Sequence, residues 1–92
     1  MNEQATSAAI LAIAGNFAVV QVPSRNFPAV AVQGDSLKVL QDTLKELAEN
    51  LDSGDLDDAR FALDEVANII SEMVSTYEDA SRDVGFTLPY RV

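Results

Sequence analysis

A chain of 92 residues with 48% hydrophobic side chains is read as one domain with one modest core, folding away about 64% of the open chain's surface. Six Lys+Arg against 15 Asp+Glu leave a formal net charge of −9, which repels phosphate backbones and anionic membranes, so neither nucleic acid nor membrane is expected as a partner. Cysteine and histidine are absent, which removes disulfide scaffolds, thiolate nucleophiles, Cys/His zinc sites and imidazole bases.

Residues 5–14 hold the first expected element. Thr6 or Ser7 can cap a short helix rich in alanine, with Gly15 as its stop. A strand is the alternative, since Ile10 and Leu11 fit either. The apolar run Ala8–Val20 is interrupted by Gly15 and Asn16 and is too short to span a bilayer. The start Met1-Asn2-Glu3-Gln4 lacks the basic region of a secretory signal, so a cytoplasmic location is expected.

Residues 17–33 read as a β-hairpin. Phe17–Val22 and Phe27–Gln33 are rich in β-branched side chains, and Pro23-Ser24-Arg25-Asn26 between them is turn chemistry. Both strands are almost uniformly apolar, so they need cover. Pro28 suits an edge or the entry to a strand.

A helix is expected over 36–51, capped by Asp35 or by Ser36. Leu37, Leu40, Leu44, Leu47 and Leu51 recur at spacings of three and four, with polar residues elsewhere. Asp52-Ser53-Gly54 breaks it. A longer helix follows over 55–79, with Asp55 as cap and Asp58 three residues on. Its stripe is Leu56, Ala59, Leu63, Val66, Ile70, Met73 and Tyr77, widened by Ala62, Ile69 and Val74. The two helices are expected to close as an antiparallel hairpin crossing at about 20°. Leu51 should then lie near Leu56, and Leu37 near the Tyr77 end. The tail, 83–92, alternates weakly through Val84, Phe86, Leu88 and Tyr90, and reads as an edge strand, a docked arm or a loose end.

The four glycines are far apart and form no phosphate loop. Asn50–Asp55 approaches a calcium loop but places Asp55 where the glycine belongs. Asp42 with Glu46, and Glu46 with Glu49, share a helix face that reads as solvated, where a carboxylate stays a poor acid or base. The serines have no base beside them. No catalytic, cofactor-binding or metal-ligating residue is assigned, and an enzyme is not expected.

The least generic segment is Arg25–Leu37. Its pattern R-x-F-P-x-V-x-x-Q-G-D-S-L resembles a family of small acidic bacterial proteins of unassigned function, loosely similar to immunity proteins of toxin systems. Ser24 and Ala29 stand where that family more often has glycine. The resemblance implies an α+β binding protein and brings no catalytic residues.

The fold expected is therefore α+β: a β-hairpin, or a three-stranded antiparallel sheet, packed on a long helical hairpin. The function expected is a non-catalytic protein-binding module, an acidic toxin-neutralising inhibitor steered onto a basic partner. Glu49, Asp52, Asp55, Asp58 and Asp64 are the candidate contacts, with Arg25 and Phe27 as a second anchor. The alternative is a structural or self-associating protein whose partner is a second copy, a homodimer. The broad stripe of the longer helix motivates it.

Overall fold

A computed structural model describes residues 7–92. Residues 5 and 6 of the expected first helix, with the Thr6 cap, lie outside the described residues. The elements are β1 (Ala9–Ala14), β2 (Phe17–Gln21), β3 (Ala29–Val32), α1 (Gly34–Ser53) and α2 (Leu56–Asp83). The fold is α+β, with a three-stranded antiparallel sheet in the order β1-β2-β3. Contacts divide the chain into two units, Met1–Val32 with Met73–Val92, and Gln33–Glu72, so α2 contributes to both.

In the sheet unit, β1 corrects the expected N-terminal helix. The segment is too short for a stable isolated helix, and Gly15-Asn16 is a hairpin signal rather than a helix stop. Gly15 has φ +43° and, among the described residues, no non-glycine residue has a positive φ, Asn16 included, which is the pattern of a two-residue II′ turn. Pairing then runs from Ala14↔Phe17 to Ala9↔Gln21, with a register shift between Ile10 and Ala12. That bulge changes which way the strand's side chains face. Leu11 and Ala12 pack toward the core, while Ile10 and Ile13 stay 63% and 75% exposed.

The expected pairing of the next two strands is present, from Phe17↔Val32 to Val20↔Ala29. Val19, fully buried, packs with Tyr77 and Ala80 of α2, and Val30 and Leu88 close around them. Tyr77 donates its hydroxyl to the Pro28 carbonyl at 2.9 Å in buried surroundings. The tail forms no strand: the third strand comes from the N-terminal side. Gly85, at φ +83°, ends α2, with Phe86 N–H donating to Ser81 O at 2.8 Å and Gly85 N–H to Arg82 O at 3.0 Å. This is a Schellman closure. It sends Leu88 to the core and leaves Tyr90 stacked on Tyr77, ring centroids 6.4 Å apart.

In the helical unit, α1 starts at Gly34 with Gln33 as the N-cap residue and no side-chain cap. The expected Asp35 and Ser36 caps are therefore corrected. Asp35 lies inside the first turn, where its charge suits the helix N-terminus, and its carboxylate accepts from Ser36 N–H at 2.8 Å. At the other end Gly54 takes φ +79°, with Asp55 N–H donating to Asn50 O at 2.9 Å. Asp55 caps α2 as expected, its carboxylate accepting from Asp58 N–H at 3.1 Å.

Candidate functional site

The residues that close α1 on α2 are Ser36, Leu40, Thr43, Leu47 and Asn50 from one helix and Ala59, Ala62, Val66 and Ile69 from the other, all buried or half-buried. Each set steps by three and four, the spacing of an interhelical seam. Ala59 and Ala62 are buried, and Thr43 donates its hydroxyl to the Val39 carbonyl at 2.9 Å. The expected leucine stripe is thereby split. Leu40 and Leu47 belong to the seam, but Leu37, Leu44 and Leu51 stand one residue further round α1 and are 50–58% exposed.

The same displacement holds on α2. Leu56, Leu63 and Ile70 stand just past the seam and are 67%, 44% and 49% exposed. One residue is about 100° of helix rotation. In an antiparallel pair, equal rotation away from the seam brings both rows to one side of the hairpin. Two grooves show them meeting there. One, of about 560 Å³, is lined by Leu37, Leu40, Leu44, Val66 and Ile70 together with Gly34, Lys38 and Gln41. The other, of about 490 Å³, is lined by Leu47, Leu51, Leu56, Ala59, Arg60 and Leu63. Leu51 thus lies near Leu56 as expected. Leu37 shares its groove with Ile70 of α2.

Charge is divided between the two sides of this hairpin. The residues that follow seam positions are Leu37, Gln41, Leu44, Ala48 and Leu51 on α1, and Arg60, Leu63, Ala67 and Ile70 on α2. None is acidic. The residues that precede seam positions are Asp35, Val39, Asp42, Glu46 and Glu49, then Asp58, Phe61, Glu65 and Asn68. One side is apolar and the other carries much of the unit's negative charge.

The candidate acidic contacts, Glu49, Asp52, Asp55, Asp58 and Asp64, are all exposed. Asp55 and Asp58 come together at the start of α2. The side-chain hydrogen bond between the two carboxyls and the Asp55 charge push the Asp58 carboxyl above its usual 3.8. Asp64 is held by Arg60, Nε to Oδ1 at 3.1 Å. Arg25 and Phe27 lie in the sheet unit, on the β2–β3 connection, and line a groove of about 680 Å³ with Val22, Ser24, Asn26 and Ala29. That connection is held by Gln21, whose Nε2 donates to Arg25 O at 2.7 Å. The sheet also leaves its outer face open: the pairs Ile10↔Val20, Ile13↔Ala18, Ala18↔Ala31 and Val20↔Ala29 are apolar throughout.

Sequence periodicity named the aliphatic rows but merged them with the seam. The signal that separates them is the seven-residue interval within each row, Leu37-Leu44-Leu51 and Leu56-Leu63-Ile70, beside seam positions at the same interval.

Fold and site define a small α+β protein with a helical hairpin that leaves an apolar, acid-free side uncovered. Among the described residues no helix is long and apolar enough to cross a membrane. The chain belongs to the family of unknown function DUF6959, whose model matches residues 3–90. The expectation of an uncharacterised family is thereby met. Neither the curated proteins nor the solved structures provide a match.

Proposed function

We propose that the protein is a non-catalytic protein-binding module that works through the acid-free side of the α1–α2 hairpin. The observation that carries this reading is the double row of Leu37, Leu44, Leu51, Leu56, Leu63 and Ile70, each between 44% and 67% exposed. Open patches of more than a few hundred Å² on a small protein mark interaction surfaces. Carboxylates that stay solvated, with no imidazole or thiol in the chain, favour binding over catalysis. The test is a pull-down from the native host with wild type and with Leu44→Gln/Leu63→Gln, the captured proteins identified by mass spectrometry. Capture by wild type and its loss in the variant support the reading. Equal capture by both overturns it.

A second reading keeps the immunity-like inhibitor, with Glu49, Asp52, Asp55 and Asp58 docking on a basic partner. Its support is the crowding of exposed like charge at one bend, marked by the raised Asp58 carboxyl. Such an encounter weakens as salt screens it. A captured partner that is basic, and released by salt and by Asp55→Asn/Asp58→Asn but not by the leucine variant, would select this reading.

A further inference from the structure

We propose that the occupant of the acid-free side is a second copy of the chain, the two hairpins closing face to face as a symmetric four-helix dimer; this rests on the reading of that side as a protein-binding surface. The first support is area. The six aliphatic side chains leave on the order of 100 Å² each exposed, roughly 600 Å² together, and their seam and alanine neighbours extend the patch toward the ~800 Å² that each partner gives to a stable interface.

The second support is charge. A chain of net −9 repels its own copy unless the meeting surfaces are free of carboxylates. On this side no residue that follows a seam position is acidic, and the carboxylate beside the groove, Asp64, is neutralised by Arg60 at 3.1 Å. Asp42, Glu46, Glu49, Asp58 and Glu65 stand on the opposite side of the hairpin, so two copies joined through the aliphatic rows turn their acids outward and apart. A basic partner would gain little here, and the cations that line the grooves, Lys38 and Arg60, are already paired with Asp42 and Asp64 at 3.1 Å, which leaves little free positive charge for an anionic lipid surface.

The third support is periodicity. Both rows repeat at seven residues, which is the repeat that a helix of a left-handed bundle offers to its neighbour. A two-fold dimer needs a patch complementary to itself. A surface made of one Leu/Ile row from each of two antiparallel helices meets that requirement, because each row can lie in the channel between the rows of the other copy.

The experiment is sedimentation equilibrium of the full chain over a wide concentration range, with two double variants. Wild type is expected to be a dimer at low micromolar concentration. Leu44→Gln/Leu63→Gln should raise the dissociation constant about a hundredfold, whereas Val39→Gln/Phe61→Gln on the acidic side should leave it unchanged. Far-UV circular dichroism confirms that the variants are helical. If the leucine variant fails to fold, pyrene attached at Ala67→Cys, the only thiol in the chain, should show excimer emission, and pyrene at Glu46→Cys should not. A wild-type monomer at hundreds of micromolar overturns the proposal, as does a dimer lost through Val39/Phe61 and not through Leu44/Leu63. A monomer that still captures a host protein through Leu44 and Leu63 overturns the dimer alone. A monomer with no such capture overturns the binding surface as well.

Discussion

Tyr77→Phe isolates one buried interaction in the sheet unit. The hydroxyl donates to the Pro28 carbonyl at 2.9 Å, joining α2 to the segment that leads into β3. Tyr77 is 8% exposed and Pro28 is buried, so the carbonyl cannot turn to water when the hydroxyl is removed. The ring, its packing on Val19 and Ala80 and its stack on Tyr90 all stay. The loss is therefore that of a hydrogen bond whose acceptor is left unsatisfied, about 1–3 kcal/mol. For a chain of this size that lowers the melting temperature by about 4–8 °C per kcal/mol. Urea titration at one fixed protein concentration should show a lower midpoint with an unchanged slope. Tyr90→Phe is the internal control. Its hydroxyl donates to Glu78 Oε2 at 3.1 Å in exposed surroundings, where water replaces the bond, so its removal should leave the midpoint close to that of wild type. A Tyr77→Phe variant as stable as wild type, or no less stable than Tyr90→Phe, would refute the assignment of this bond as a strut of the core.

Val19→Ala empties part of the only fully buried large apolar position among the described residues; a loss of roughly 2 kcal/mol is expected in the same titration. Asp55→Ala removes the acceptor of Asp58 N–H at the start of α2 and should cost about 1 kcal/mol, with helix content falling on the same denaturant scale. Asp58→Asn should act in the opposite direction. The Asp58 carboxyl binds its proton more tightly in the folded chain than at the ordinary 3.8, chiefly because of its side-chain hydrogen bond with Asp55 and that residue's charge. Its ionisation therefore takes stability away as pH rises from about 3.8 through the raised value, and the loss persists at neutral pH. Asp58→Asn should raise the urea midpoint at pH 7, by an amount that shrinks with salt and vanishes in acid. A midpoint gain that is the same at low and neutral pH would show that charge is not its cause.

The two helices were legible because several independent signals agreed on them. Apolar spacing, the Asp55 cap and the Gly54 stop all placed the α1–α2 bend where it is found. At the start of α1, Asp35 and Ser36 have cap chemistry, but the backbone begins its helical turn at Gly34 with Gln33 ahead of it. The first strand departs from its local propensity for a different reason. Ala8–Ala14 has high intrinsic helix propensity, and a run this short takes its conformation from its tertiary partners. β2 supplies a partner two residues away across Gly15-Asn16, and the bulge at Leu11 lets an almost featureless apolar segment satisfy both faces of the strand. Neither the bulge nor the Tyr77–Pro28 bond leaves a trace in the local pattern, since each depends on residues distant in the chain.

The candidate site was half legible for a reason built into helix geometry. A stripe read from spacing has a direction but no sharp edge: positions 36, 40, 43, 47 and 50 and positions 37, 44 and 51 differ by a single step of rotation. Which of the two rows faces the partner helix depends on that helix. Ala59 and Ala62 are buried on the α2 row, and the leucines of the second row on α1 are left half exposed beside the seam. Hydrophobic burial then has a remainder. Had these leucines only to stabilise the hairpin, the positions could have held the lysines and glutamates that fill its other faces. Instead the aliphatic residues sit at a constant interval on both helices, and no carboxylate takes a position that follows the seam, while six take positions that precede it. Random surface composition would scatter acids through both sides in a chain carrying 15 of them. Their absence from the positions that follow the seam supports the proposal of a protein contact there, with a partner that negative charge would repel. An identical, equally acidic chain satisfies that condition, and the basic target first expected from the overall charge does not.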